Sequence, residues 1–276
     1  MEGPTLVFGA GWLGTQWARR LGATLRKTDI ADAEAVRCEL DAVAPTRVIN
    51  AAGATGSPNV DALEGNPAKA YRSNVAGPIA LATACRERGL HLTHLGSGCI
   101  YQGDAEGRGY AEEDPPNFAG SLYSRTKAMG EAALVDFDVL QLRVRMPLAA
   151  EPGPRNLLTK LLTFERVVSV PNSVTILEDF WPSAEALIER GATGIWNMVN
   201  DGVERHDELL ALWRSLVDPD HAFEVVSPAE LARDLVAERS NCILSTDKLK
   251  AAGLALPHVE ESLPRLVKAY AANLGA

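Results

Sequence analysis

The strongest constraint on the fold is Gly9-Ala10-Gly11-Trp12-Leu13-Gly14, a G-x-G-x-x-G turn between an apolar run, Thr5–Phe8, and a helical stretch, Trp12–Leu21. Glycines at this spacing permit a tight turn, close backbone approach to a pyrophosphate and close helix–strand packing. The anion then rests on the helix N-terminus, where unpaired N–H groups and the helix dipole attract it. The residues that follow keep a strand–helix rhythm. Ala23–Arg26 reads as a strand, Ala33–Val43 as a helix, and Arg47–Asn50 as a strand ending on Ala51-Ala52-Gly53. Pro67–Arg88 reads as helical, His91–Gly96 as a strand, Ser121–Leu134 as a long helix and Val139–Arg143 as a strand. Strands that alternate with helices pair in parallel, because parallel neighbours need long crossovers. The expected architecture is α/β, a Rossmann-type doubly wound parallel sheet.

After Pro147 the rhythm changes: prolines at 152, 154, 171 and 182 punctuate shorter elements, and helices such as Asp207–Leu216 and Pro228–Val236 dominate. The expected division is a dinucleotide-binding domain over residues 1–150 and a smaller substrate-binding lobe over 151–276, interleaved across a soft boundary. Gln102–Asn117, rich in Gly, Asp, Glu and Pro, reads as a surface loop near the site. Trp181, Trp196 and Trp213 read as core of the second lobe, and the five histidines as packing or surface residues.

A formal net charge of −9 argues against nucleic acid or an acidic membrane surface as partner, since both call for a basic face. No apolar run reaches the roughly 18–20 residues that cross a bilayer, and no signal-peptide pattern opens the chain. Cys38, Cys85, Cys99 and Cys242 are scattered, with no C-x-x-C pair and no neighbouring histidines. Neither a disulfide framework nor a metal site is expected, and a cytoplasmic setting is.

Tyr123-Ser124-Arg125-Thr126-Lys127 places Tyr123 and Lys127 at i and i+4, on one face of a helix. An ammonium beside a phenol favours the phenolate and brings a group of ordinary pKa near ~10 into use at neutral pH. The lysine also suits the ribose of a nicotinamide nucleotide. Ser97, at the end of the preceding strand, can donate to a substrate carbonyl. A polarising donor, a proton donor and a positioned nicotinamide are what hydride transfer to a ketone requires. In the cofactor turn, Gly9, Gly11, Trp12, Leu13 and Gly14 carry the pyrophosphate. Asp29 and Ile30 flank the adenosine, and Ala51, Ala52 and Gly53 line the next strand end. Asp29 can accept from a ribose hydroxyl or the adenine amine, whereas Arg26 or Lys27 can neutralise a 2′-phosphate, so the cofactor is NADP or NAD.

Taken together, these segments resemble the extended short-chain dehydrogenase/reductase family. Within it, they are most similar to the bifunctional nucleotide-sugar 3,5-epimerase/4-reductases of rhamnose synthesis, and more distantly to dTDP-4-dehydrorhamnose reductases. The likeness runs through Asn50–Asp61, Asn74-Val75-Ala76-Gly77, Gly98-Cys99-Ile100-Tyr101, Glu112–Asp114, Pro116–Phe118, Tyr123–Met129, Leu142–Pro147, Pro154–Asn156, Val170–Ser173, Arg239–Asn241 and Thr246–Leu249. It covers nearly the whole chain. The resemblance implies 3,5-epimerisation and NAD(P)H-dependent 4-keto reduction of a nucleotide-linked 4-keto-6-deoxyhexose, giving an L-rhamnose-type nucleotide sugar. It assigns Cys99 and Lys160 as the acid–base pair of the epimerisation, and Asn59, Ser97, Cys99, Asn117, Arg145, Asn156 and Asn172 as substrate contacts. Alternatives are a 4-ketoreductase alone, another NAD(P)-dependent sugar-nucleotide tailoring enzyme, or a non-catalytic dinucleotide-binding regulatory subunit. A homodimer is the fold-level expectation.

The chain departs from the family at several points. Its glycine turn is one residue tighter than the usual G-x-x-G-x-x-G. Ala10 and Asp29 stand where the plant enzymes carry basic residues, which weakens an inherited preference for NADPH. Ser97 replaces a threonine and keeps the hydroxyl.

Overall fold

The computed structural model describes residues 3–275. It divides into two compact units, each described by itself: residues 1–100, 116–143 and 187–196 form the first, and residues 101–115, 144–186 and 197–276 the second.

The first unit opens with β1 (Thr5–Phe8), α1 (Trp12–Leu21), β2 (Thr24–Arg26), α2 (Ala33–Val43) and β3 (Arg47–Asn50). Then come α3 (Asp61–Glu64), α4 (Pro67–Tyr71), α5 (Gly77–Glu87), β4 (His91–Ser97), α6 (Leu122–Ala133) and β5 (Val139–Val144). The sheet runs β2-β1-β3-β4-β5 and is finished by the strand Gly194–Asn197, six strands in all. β1 pairs in parallel with β2 and β3, and β3 with β4, in the order of a Rossmann-type doubly wound sheet. Every residue of β1 and β5 is buried, which is why both read as continuous apolar or mixed runs rather than alternating ones. Leu6, Phe8, Val36, Leu40, Leu81, Cys85 and Leu92 form the core between sheet and helices.

Two features of this unit depart from the sequence expectation. Pro67–Arg88 is not one regular helix: Arg72–Ala76 is a π-turn between α4 and α5, with the Gly77 N–H bonded to the Arg72 carbonyl. The cause is Pro78, which has no N–H to give the Asn74 carbonyl four residues back, so the helix widens to bypass that position. The strand Gly194–Asn197, beyond α6 and β5 by some fifty residues of sequence, was not anticipated.

The second unit holds two small parallel pairs, Pro147–Leu148 with Thr175–Ile176 and Arg166–Val168 with Glu224–Val226. Its helices include Leu157–Leu161, His206–Leu216 and Val259–Leu274. Leu148, Leu158, Leu161, Ile176, Leu210, Trp213, Val267 and Tyr270 make its core, with the Trp213 and Tyr270 rings edge to face at 5.9 Å. Trp181 and Trp213 are buried as expected, whereas Trp196 is only half-buried. The segment expected as a plain surface loop is tied down. Gly103 and Tyr110 form bridges to Cys242 and Leu244, and the Tyr101 and Tyr110 rings stack at 4.4 Å.

Candidate active site

The glycine turn joins β1 to α1 as the spacing implies. Gly9 has φ +100°, a left-handed conformation, and a Cβ there would lie 2.3 Å from the Ala52 nitrogen. A Cβ on Gly14 would lie 1.8 Å from the Gly9 carbonyl oxygen, so the first and third glycines are demanded by packing. Gly11 is different: it is exposed, and a Cβ there would meet nothing within 4 Å. Gly11 caps α1 without a side-chain hydrogen bond, and the first turn carries no acidic residue. The positive end of α1 is thus left open to an anion, and these residues fit a dinucleotide pyrophosphate.

Beside the turn lies a cavity of about 420 Å³ lined by Asp29, Ile30, Ala52 and Gly53 together with Thr28, Ala68, Lys69, Arg72 and Ser73. Asp29 is paired with Arg72 at 2.8 Å, and its carboxyl also accepts from the Ala31 N–H at 3.0 Å. The backbone N–H and then Arg72 hold its pKa below the usual carboxylate range. The basic groups lining the cavity are Lys69 and Arg72. Arg26 instead turns to Glu39 of α2, and Thr28 Oγ1 donates to the same carboxylate at 3.1 Å. Sequence order pointed to Arg26 and Lys27 because they stand at the end of β2 and just after it; Lys69 and Arg72 come from α4 and the π-turn, some forty residues later.

The reactive side chains of the first unit sit at the end of β4 and on α6. Ser121 caps α6, its Oγ accepting from the Ser124 N–H at 3.0 Å, and Glu64 of α3 accepts from the Leu122 N–H. Tyr123, in the first turn, is half-buried against Ala54, Leu63, Ala70 and Leu122. Lys127, one turn on, is 7% exposed, and its Nζ donates to the Leu95 carbonyl of β4 at 2.8 Å. Burial lowers its pKa from 10.5 to about 8, against the opposing pull of Glu131 and Cys99. Ser97 Oγ accepts from the Cys99 N–H at 3.1 Å, leaving the hydroxyl proton to donate elsewhere. Cys99 is half-buried.

Asn74, in the π-turn, ties these pieces together and was visible in the sequence only as part of a family-like stretch. Its Oδ1 accepts from Ala54 N–H at 2.8 Å, and its Nδ2 donates to Ala54 O at 2.9 Å and to Thr126 Oγ1 of α6 at 3.0 Å. Behind Lys127, Glu131 accepts two hydrogen bonds of 2.8 Å from Arg143 of β5, a buried bidentate pair.

Of the expected substrate contacts in this unit, Asn59 and Asn117 are exposed, and Asn59 Oδ1 accepts from the Asp61 N–H at 2.9 Å. Arg145, Asn156 and Asn172 belong to the second unit and are buried there. Asn156 bridges the Ala149 and Glu151 carbonyls and caps the helix that follows it. Arg145 donates to Asn172 Oδ1 at 2.7 Å and to the Ser240 carbonyl, while Asn172 also accepts from the Cys242 N–H at 3.1 Å. These three side chains are engaged in holding loops. Lys160, in the same unit, is half-buried; burial and then the neighbouring Arg155 lower its pKa. Among the described residues no cluster of three or more His, Cys, Asp or Glu could hold a metal ion, and no helix is long and apolar enough to cross a membrane.

The chain belongs to the family described as the RmlD substrate binding domain, whose pattern matches residues 11–272. It is 40% identical over 275 residues to the bifunctional dTDP-4-dehydrorhamnose 3,5-epimerase/dTDP-4-dehydrorhamnose reductase of Arabidopsis thaliana, covering 95% of this chain and 91% of that one. The crystal structure of the L780 UDP-rhamnose synthase from Acanthamoeba polyphaga mimivirus superposes with a TM-score of 0.92 at 34% identity, covering 98% of this chain and all of the other. A dTDP-4-dehydrorhamnose reductase from Bacillus anthracis, solved with NADP, shares the fold with a TM-score of 0.82 at 22% identity, over 96% and 98% of the two chains.

Proposed function

We propose that the chain is an epimerase/reductase of nucleotide sugars: it inverts the carbons flanking the ketone of a nucleotide-linked 4-keto-6-deoxyhexose and reduces the 4-keto group, giving an L-rhamnose-type product. The observation that carries the reading is that Lys127 of α6 reaches back to the Leu95 carbonyl of β4, close to Ser97 and Cys99, with Tyr123 one turn earlier on α6, in the unit that also holds the open Gly11 turn. The names of the similar proteins support the substrate class.

The Gly9–Gly14 turn, Ala51 at the end of β3 and the cavity lined by Asp29, Ile30, Ala52 and Gly53 would hold a reduced NADP or NAD, which would supply the hydride when bound. The protein's own groups do the rest. The Ser97 hydroxyl donates to the ketone oxygen and the Tyr123 phenol gives it a proton. Lys127 steadies the phenolate that Tyr123 becomes. In the epimerisation Cys99 and Lys160 exchange protons at the carbons beside the ketone, where acidity is raised by Ser97 polarising the carbonyl. A lysine whose pKa burial has lowered is suited to that exchange near neutral pH. Asn59, Asn117, Arg145, Asn156 and Asn172 complete the proposed sugar-nucleotide site, the last three by shaping the loops they hold. The reading extends to a homodimer in a reducing cytoplasm, which suits four cysteines without a disulfide.

The test is to incubate the enzyme with the 4-keto sugar nucleotide in deuterated water without cofactor, then add NADPH or NADH. Deuterium at C3 and C5, lost in Cys99→Ser, followed by cofactor oxidation, is the expected result. Cofactor oxidation without wash-in would reduce the reading to a 4-ketoreductase, and neither signal would remove it.

A further inference from the structure

Lys127 has an unusual neighbour on β4. His94 is buried at 2% exposure, and its ring lies between Asn50 of β3 and Lys127. Asn50 Oδ1 accepts from the Ala52 N–H at 3.0 Å, so the amide's other end, Nδ2, is the group 2.9 Å from His94 Nδ1. An amide N–H can only donate, so Nδ1 must present its lone pair and the ring proton must sit on Nε2. His94 Nε2 in turn lies 3.4 Å from Lys127 Nζ.

Within this arrangement an ammonium is poorly served. Among the described residues its one hydrogen-bond acceptor is the Leu95 carbonyl at 2.8 Å. Glu131, one turn along α6, has both oxygens occupied by Arg143 and acts on Lys127 only through its field. Cys99 is the remaining ionisable neighbour from the β4 side, and Tyr123 shares the face of α6. An N–H aimed at a protonated lysine repels it, whereas a neutral amine offers a lone pair to the same N–H. Imidazolium is no alternative, because burial and then Lys127 hold the His94 pKa well below 6.5.

We propose that His94 is a positioning residue for Lys127: Asn50 locks it as the Nε2–H tautomer, which turns a donor toward the lysine Nζ and disfavours an ammonium there. The inference rests on the reductive role proposed for Lys127 but concerns its resting state. Burial alone would lower the lysine's affinity for its proton; the locked tautomer adds a directional contribution that a conservative change can remove. His94→Gln lets an amide oxygen face Lys127. Asn50→Asp draws the ring proton onto Nδ1 and turns the Nε2 lone pair toward the lysine.

The experiment uses the intact protein, and its spectroscopic readouts need no substrate. Long-range proton–nitrogen correlation on histidine-labelled protein should show one ring with Nε2 protonated and Nδ1 bare, unchanged from pH 6 to 9. Carbon-labelled lysine should show one side chain, absent in Lys127→Met, that titrates near pH 8. In His94→Gln and Asn50→Asp that midpoint should rise by about one pH unit or more, and the matching limb of the kcat/KM profile should move with it. An Nδ1–H tautomer assigned to His94 in the wild type overturns the proposal even if neither variant folds; His206, whose Nδ1 faces the Glu204 carboxylate, is a separate ring. So does an unshifted midpoint in both folded variants. Failure to reduce a keto sugar would sink the functional reading and leave these spectra as they are, so the two failures are distinguishable.

Discussion

Gly130 lies on the face of α6 that meets the π-turn, and a Cβ built there falls 2.0 Å from the Asn74 carbonyl oxygen. Ordinary contact begins at 3.4 Å, so Gly130→Ala forces α6 and the π-turn apart by about 1.4 Å. The obstacle is backbone on both sides, and no rotamer change relieves it. Two opposing effects follow for stability. Alanine gains about 1 kcal/mol of helix propensity over glycine, while overpacking costs about 1–3 kcal/mol, so the net loss is modest. Activity is more sensitive. Thr126 and Lys127 lie one turn before Gly130, and the displacement loads the Asn74–Thr126 bond of 3.0 Å and the Lys127–Leu95 bond of 2.8 Å. A shift of about 1 Å in a catalytic group costs on the order of 100-fold. The assay is kcat/KM for reduction of the 4-keto sugar nucleotide alongside urea unfolding. A folded variant within about 2 kcal/mol of wild-type stability but about 100-fold slower is expected. A variant as active as wild type, and more stable by the full propensity gain, would refute the claim that this contact sets the position of α6.

Tyr123→Phe should slow reduction by about 10²–10⁴-fold while leaving deuterium wash-in at C3 and C5 intact, since that residue serves only the second half of the proposed reaction. Glu131→Gln leaves Arg143 charged, buried and unmatched, and should cost about 3–5 kcal/mol by chemical unfolding. The lowered Lys127 pKa has a stability signature. Below pH 8 the lysine is protonated in both folded and unfolded chains and the burial penalty is complete; between about 8 and 10.5 only the unfolded chain keeps the proton, so the penalty fades as pH rises. Lys127→Met should therefore be most favourable relative to wild type at pH 7 and lose that advantage by pH 10.5, measured as the difference in unfolding free energy; a pH-independent difference would contradict the burial.

Local chemistry made much of this fold readable. The Gly9–Gly14 turn, the apolar strands around it and the Tyr123–Lys127 spacing are properties of short segments, and the structure gives the strands and helices of the first half nearly the predicted bounds. The missing parts depend on distant partners. Gly194–Asn197 is four residues with two adjacent large apolar side chains, Ile195 and Trp196, too short a run to mark a strand, and it becomes one by pairing with β5. Lys69 and Arg72 face the cavity because α4 and the π-turn pack there, which no residue near β2 announces. His94 read as a packing histidine, which it is; that it also faces Lys127 follows from β4 lying beneath α6. The family resemblance, not local pattern, marked Arg145, Asn156 and Asn172 as substrate contacts, and which loops they also hold is visible only in their hydrogen bonds.

The late arrival of Gly194–Asn197 has a consequence for how the chain must be made. A ribosome that has released residues up to Val144 has produced five strands of the six-stranded sheet, with β5 as an open margin whose N–H and C=O groups lack one set of partners. That margin stays uncovered until about fifty further residues have emerged, a window in which another nascent chain can dock against it. A gene fragment cut near residue 150 would fix that state permanently, and it should be recovered as aggregate, whereas a fragment reaching past residue 197 carries its own cover.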